Sequence, residues 1–494
     1  MAVLFCVLDC KAEAKLPLFT IYRTLFMGIK EKIQEVGIIM TKESQRQETF
    51  SGGLAVFFAT LGSAVGLGNI WLFPYITGEN GGAAFLLLYF GCTFLVGLPI
   101  LIAEYAMGRH TRSNIVAAYQ KLSGSTFWKI PGFMGVASSF FILFFYTVVA
   151  GWVYYYFFQS LTGMIQELTP ATTALTFAKL SSNSILSVFC QLVVVAVTSG
   201  IIYLGVRKGI EAITKRLMPL LLVLLLICAV QALRLPNSWG GVEFLFSVNF
   251  SALTGTSVLT ALGLAFFKLS LGIGTMATYA SYFNKDTNMS RNAIQVVIAD
   301  ISVSMLAGLA IFPAVFAFGM EPSSGPGLLF MTIPLIFAKM PFGSVLVTLF
   351  FFLTASAATM AIISMIEVPV AYLMGNWKMS RKAATFMVSI TVFTVGSLAA
   401  LSATPDSQLG NFLIFGQTFF DSFDFLSSKL LMPLGGLCCA LLMGWKADRQ
   451  ILKDEMTNYG MISLGWRWNA YVFLLRYVSP ALVIIVFLYT LKNS

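Results

Sequence analysis

Two apolar stretches of the chain carry glycine where a membrane helix least tolerates it. The first reads Gly62-Ser-Ala-Val-Gly66-Leu-Gly68-Asn69-Ile-Trp-Leu-Phe-Pro74-Tyr75 and the second Phe266-Phe267-Lys268-Leu-Ser270-Leu-Gly272-Ile-Gly274. A helix opened within a bilayer leaves N–H and C=O groups unpaired, and lipid cannot satisfy them. Opened backbone of this kind must face a cavity or a ligand. Matched breaks in two halves of a membrane chain are the best sequence pointer to a transporter's central binding site. The chemistry on offer is recognition of ions and zwitterions. No nucleophile–base set, metal cluster or phosphate-binding loop supports an enzyme, and no transition-metal site is expected.

The elements that hold these breaks are membrane helices. The 494 residues are 58% hydrophobic and 11% charged, with a mean hydropathy of +0.84, a balance that excludes a soluble protein. Apolar runs near 20 residues predict eleven spans, at roughly 53–77, 82–107, 133–163, 184–204, 214–233, 254–283, 293–320, 343–374, 383–402, 411–443 and 470–491. Between spans 7 and 8, Gly325-Pro-Gly327 and Pro334 mark a short external or re-entrant hairpin. The net charge of +10 is no sign of nucleic acid, because the basic residues cluster in alternate loops. Arg109, Arg112, Lys121 and Lys129 follow span 2, Arg207, Lys208, Lys215 and Arg216 follow span 4, and Lys446, Arg449 and Lys453 follow span 10. This pattern predicts a multi-pass protein of the cytoplasmic membrane with a cytoplasmic N-terminus and an external C-terminus. The seven cysteines have no metal or redox spacing, and Cys190, Cys228, Cys438 and Cys439 lie in apolar runs as expected of reduced buried thiols. Residues 1–40 fit the pattern poorly. Either the chain starts at Met40, before the polar lead 41–47, or residues 1–40 are an amphipathic surface segment.

The first break and its flanks, with Glu79-Asn-Gly-Gly82, Glu104-Tyr-Ala-Met-Gly-Arg109, Ser270-Leu-Gly-Ile-Gly274, Thr278-Tyr-Ala-Ser-Tyr282, Asp421-Ser-Phe-Asp-Phe425 and Pro433-Leu-Gly-Gly436, closely resemble the neurotransmitter:sodium symporters, over nearly all of residues 50–490. Eleven spans are similar to the short bacterial branch. The resemblance implies an all-α, LeuT-type fold: a 5+5 inverted repeat with spans 1 and 6 broken, plus span 11. The division would be a cytoplasmic lead at 1–50, a first repeat at 51–235, a second at 250–445, and span 11 with the external C-terminus at 465–494.

The resemblance also implies a substrate site. N–H groups at a helix break, beside a half-helix N-terminus, attract an anion. Leu67 and Gly68 are placed to hold an amino acid's carboxylate, and Tyr146 matches the family's occluding tyrosine. Amine-transporting relatives carry an aspartate where Gly66 stands, so this substrate should bring its own acid group. The carbonyls of Ala64 and Phe267 and the hydroxyl of Ser270 are the expected amine partners. Ile142, Phe267, Ile273, Ala361 and Met365 form an apolar side-chain pocket, and Phe267, Tyr146 and Asp424 are expected gating residues.

The departures from the family lie at the ion sites. Asn69 of the first sodium site is kept, but Lys268 replaces the span 6 hydroxyl and Asp300 replaces an asparagine of span 7. Either charge alone costs about 2.5–3.5 kcal/mol within a membrane, so their joint appearance points to a pair in which the ammonium stands in for sodium. A static pair tying spans 6 and 7 together is the alternative. At the second sodium site, Met360 and Ala361 replace two hydroxyl residues, leaving the carbonyls of Gly62, Val65 and Ala357; a one-residue shift would bring Thr359 nearer. Tyr89 and Ser304 match chloride ligands of the relatives, but Leu264 and Asp300 do not, so no chloride requirement is expected. Leu72 replaces the external gate arginine, and Gln47 and Gly375 replace an internal Arg–Asp pair, with Arg46 as a possible substitute. Glu104 matches a family glutamate that braces the breaks. Glu367 and Lys429 are buried charges without an assigned role, and His110 is expected to be solvated.

The sequence thus predicts a secondary-active transporter of a neutral, hydrophobic amino acid, working in a lipid bilayer by alternating access, with altered sodium dependence and no other cofactor. Proton coupling, sodium-independent exchange and a non-transporting amino-acid sensor are the alternatives.

Overall fold

The computed structural model describes residues 48–163, 169–319, 327–338, 340, 342–405, 407–413 and 416–493. The expectations for residues 1–47, with Met40, Arg46 and Gln47, and for Gly325 and Pro326 fall outside them.

Among the described residues, nine helices are long and apolar enough to cross a membrane. They are span 2 (Ala83–Thr111), span 3 (Thr126–Leu161), span 4 (Ser184–Tyr203), span 5 (Val206–Leu233), span 7 (Met289–Ala317), span 8 (Gly343–Asn376), span 9 (Arg381–Leu401), span 10 (Phe419–Lys446) and span 11 (Trp466–Tyr489). Span 1 is the pair Gly53–Ala64 and Gly68–Glu79, bent by 55° at its break. Span 6 is the pair Gly255–Lys268 and Thr275–Ala280, separated by six residues without helix. Among the described residues this makes nine candidate crossings, ten with the bent pair of span 1, while the span 6 helix Gly255–Lys268 is apolar but shorter. The apolar stretch between spans 7 and 8 forms the short helix Leu328–Phe337, too short to cross. Span 3 begins earlier than its apolar run, because Ser125 caps a short turn at Thr126–Trp128 that leads into it. Span 10 begins later, at the Thr418 cap, whose side chain accepts from the Asp421 amide.

The helices sort by burial. In the most apolar window, span 8 is 83% and span 3 is 72% buried, against 33% for span 11. Spans 3 and 8 are therefore the inner pillars, and span 11 is a peripheral helix whose apolar surface faces outward.

Glycine sets how closely the broken helices approach their neighbours. The linker of span 6 takes three left-handed residues, Ser270, Gly272 and Gly274, with φ of 51°, 77° and 79°. A Cβ on Gly272 would lie 2.1 Å from the Met432 carbonyl oxygen, and one on Gly435 would lie 2.1 Å from the Gly272 oxygen. The motif Pro433-Leu-Gly-Gly436 thus brings span 10 into backbone contact with the break in span 6. Gly108 does the same for span 2, where a Cβ would sit 1.9 Å from the Ala277 oxygen.

At the end of the bundle that carries the basic loops, Arg109 is buried against the Glu455 carboxylate and the Thr287 carbonyl, and donates to the Glu455 carbonyl at 2.6 Å. His110, expected to be solvated, is half exposed but lies 3.5 Å from Glu455. Burial pushes the Glu455 carboxyl up, but hydrogen bonding to His110 and the charge of Arg109 outweigh it and hold the group below its ordinary value.

Gly272→Ala combines a left-handed φ with a backbone collision. It should cost at least about 2 kcal/mol, seen as a lowered unfolding midpoint in a thermal assay of the detergent-solubilised protein. An unchanged midpoint would show that spans 6 and 10 can part at this contact without loss.

Candidate functional site

The two breaks face each other across a central cavity. It is lined by Ser63, Ala64, Gly66 and Gly68 from span 1, Ile142 and Tyr146 from span 3, Phe267, Lys268, Ser270 and Ile273 from span 6, Ala361 and Met365 from span 8, and Met432 from span 10. Most of the residues expected to contact substrate are brought together here. Ser63 and Met432 are additions. Met432 could have been found from the motif that follows it, which fixes that part of span 10 against the span 6 break.

Hydrogen bonds hold the opened backbone. The Leu67 amide donates to the Tyr146 hydroxyl at 2.8 Å, which leaves that hydroxyl its own proton to offer an anion. The Gly66 amide donates to Asn69 Oδ1 at 3.2 Å. Ser270 Oγ donates to the Ser63 carbonyl at 2.9 Å, joining the two breaks directly. Glu104 Oε1 accepts from the Gly272 amide at 2.7 Å, the bracing contact expected of it. A Cβ on Gly66 would fall 2.7 Å from the Tyr146 hydroxyl and 3.1 Å from Ala361 Cβ. An aspartate at position 66 would therefore have to displace Tyr146.

Beneath the span 1 turn lies the charge pair. Lys268 Nζ is 3.0 Å from Asp300 Oδ2, and both side chains are fully buried. The ammonium also donates to the Tyr89 hydroxyl at 2.8 Å and to Ser304 Oγ. Its three donors thus have three acceptors. The rings of Phe73 and Tyr89 lie 4.8 and 4.6 Å from the nitrogen, presenting their electron-rich faces to the cation. Asp300 Oδ2 accepts from the Tyr89 hydroxyl at 3.1 Å, and Asp300 Oδ1 accepts from Asn69 Nδ2 at 2.6 Å. Asn69 Nδ2 also lies 3.0 Å from Ser304 Oγ. Lys268, Asp300 and Asn69, singled out in the sequence, form one network, and Tyr89 and Ser304 complete it. Through its two ends, Asn69 joins the pair to the Gly66 amide of the cavity turn.

Span 8 passes the other side of the span 1 break. Met360 is buried there and Ala361 lines the cavity. Thr359 turns away, donating to the Ala355 carbonyl at 2.7 Å and pairing with the Tyr154 hydroxyl at 2.6 Å.

The residues expected at the gates have the following contacts. Asp424 accepts from Ser428 Oγ within its own span, at 2.8 Å, and Lys429 lies 5.7 Å from the Phe425 ring. On the opposite side, Arg381 at the head of span 9 makes a two-pronged contact with Glu367 of span 8, at 2.8 and 3.0 Å. Glu367 also accepts from the Tyr282 hydroxyl at 2.6 Å, and Arg381 lies 3.2 Å from Glu48 in the lead to span 1. The ion pairs here are therefore made by residues other than position 375. A Cβ on Gly375 would strike Asn114 Nδ2 at 2.3 Å, so no acidic side chain fits there without displacing Asn114. The missed signal was a buried acid in an apolar span with an arginine opening the next.

Removing one charge of the pair strands the other in the protein interior. Lys268→Met and Asp300→Asn should each cost about 3–5 kcal/mol, and the double variant much less than their sum. Unfolding midpoints of the four proteins measure this coupling, and strict additivity would show that the two groups do not form a pair.

A family model described as the sodium:neurotransmitter symporter family matches residues 47–178 and 181–494. The chain is 38% identical over 448 residues to YhdH of Bacillus subtilis (strain 168), an uncharacterized sodium-dependent transporter; the match covers 90% of this chain and 98% of YhdH. It is 33% identical over 459 residues to an uncharacterized sodium-dependent transporter of Haemophilus influenzae, covering 91% and 99% of the two chains. Among solved structures, MhsT in complex with L-phenylalanine superposes with a TM-score of 0.83 at 40% identity, over 89% of this chain and 99% of MhsT. With the two broken spans and the central cavity between them, these similarities show that the chain belongs to the sodium:neurotransmitter symporter family of membrane transporters.

Proposed function

We propose that the chain carries a neutral, hydrophobic amino acid across the cytoplasmic membrane by alternating access, with a charge pair of its own in place of the first sodium ion. The observation that carries this reading is the saturated network of Lys268, Asp300, Asn69, Tyr89 and Ser304 directly beneath the substrate turn. The substrate carboxylate would be held by the Tyr146 hydroxyl and the amides of Leu67 and Gly68. The amine would meet the carbonyls of Ala64 and Phe267 and the Ser270 hydroxyl. The apolar walls, Ile142, Ile273, Ala361, Met365 and Met432, favour a side chain without charge. The complex of MhsT with L-phenylalanine supports a ligand of this class.

Lys268 supplies fixed positive charge where the relatives would recruit a mobile one. Its ammonium points into the Asp300 network, so it acts on the turn through Asn69. The oxygens left for a sodium ion are the carbonyls of Gly62, Val65 and Ala357 at the second position. The basic loops after the even-numbered spans support a cytoplasmic N-terminus.

The test is uptake of labelled amino acids into proteoliposomes with imposed Na⁺ or H⁺ gradients. Leucine- or phenylalanine-like substrates should enter, with acidic and basic ones excluded. Tyr146→Phe should weaken substrate binding by about 10- to 100-fold, the loss of one hydrogen bond to a charged group. Lys268→Thr combined with Asp300→Asn should make uptake more dependent on Na⁺ than in the wild type. Binding without uptake under any gradient would favour a sensor, and a preference for charged amino acids would refute the pocket assignment.

A further inference from the structure

The helix Gly53–Ala64 ends at the span 1 break, and its last carbonyls lack partners further along the helix. The negative end of a half-helix at mid-membrane is a natural cation position. The neighbours across from it decide whether a cation can use it.

Those neighbours are apolar. The position where a Gly62 Cβ would project lies 3.5 Å from both Cβ and Sδ of Met360, so the thioether lies alongside this turn of span 1. The same point is 3.1 Å from the Thr214 methyl of span 5. Thr214 has turned its hydroxyl back to the Ile210 carbonyl of its own helix, at 2.9 Å. The hydroxyls of span 8 nearby are also committed. Thr359 bonds to Ala355 and Tyr154, while Ser364 donates to the Ala361 carbonyl at 2.7 Å and accepts from Ser63 at 2.9 Å. A small hard cation prefers oxygen ligands, and a thioether is a poor substitute.

We infer, given amino-acid binding in the central cavity as proposed above, that Met360 determines the ion requirement of the second position. Its thioether and the Thr214 methyl put apolar groups beside Gly62, in the last turn of the half-helix, so amino-acid binding proceeds without Na⁺. With Lys268 filling the first position, both cation positions are then occupied by the chain's own atoms.

The test uses the purified full-length protein in lipid nanodiscs and the binding of tritiated L-leucine and L-phenylalanine in sodium chloride against choline chloride. Wild type should bind alike in both salts, within about twofold, whereas Met360→Thr should gain about tenfold in affinity with Na⁺, an ordinary coupling between two ligands. Met360→Leu keeps an apolar cap and should remain indifferent to Na⁺. Met360→Ser is the smaller replacement if the threonine variant does not fold. A Na⁺-induced rise in the unfolding midpoint of the hydroxyl variant, without amino acid, reads the same site independently. Wild-type affinity that rises more than about fivefold with Na⁺ overturns the inference, as does a folded hydroxyl variant that binds amino acid and ignores Na⁺. Wild type that binds no amino acid in either salt overturns the transporter proposal itself, a result distinct from binding with sodium dependence.

Discussion

Lipid offers no hydrogen bonds, so a membrane helix that opens must find every partner within the protein. Each break here is stitched by a contact from another span. Tyr146 of span 3 takes the Leu67 amide, Glu104 of span 2 takes the Gly272 amide, and Ser270 of span 6 reaches the Ser63 carbonyl. The inner position of span 3 and the close glycine approaches of spans 2 and 10 follow from bringing those partners within reach. The cavity is what remains between the stitches, which is why its lining comes from five different spans.

The charge pair obeys the same constraint in a harsher form. An unpaired ion in the interior costs several kcal/mol, and a pair is tolerated only when its remaining hydrogen bonds are also met. Lys268 and Asp300 meet that condition through Tyr89, Ser304 and Asn69. Since Asn69 also holds the Gly66 amide, charge balance and the shape of the substrate turn depend on the same side chain. On the opposite side of span 1, Met360 and the Thr214 methyl lie beside Gly62 in the last turn of the first half-helix.

Much of this was legible in the chain. Glycine at 66, 68, 272 and 274 announced the breaks, because it interrupts apolar stretches at matching places in the two halves. Lys268 and Asp300 announced each other, since neither is acceptable alone. The network beyond them was less visible. Tyr89 and Ser304 were noticed as possible anion ligands, whereas in the fold they serve the ammonium. Arg381 gave no periodic signal, because its role arises only when the head of span 9 meets Glu367, Tyr282 and Glu48. Met432 had only an indirect signal: an apolar side chain in an apolar helix does not show which way it faces, and the glycine motif after it becomes informative once the contact of Gly435 with Gly272 is known. Sequence reveals backbone exceptions and charges readily, and long-range packing poorly.

The covalent tethering of Lys268 has a consequence for energy conversion. A mobile cation bound beside a zwitterion carries net charge across the bilayer, and the membrane potential then does about 2.3 kcal/mol of work per charge for each 100 mV. Lys268 and Asp300 remain on their helices, with opposite charges 3.0 Å apart. In the proposed cycle their reorientation would carry almost no dipole across the field and no ion to the other side. At this position the voltage across the membrane has nothing to push.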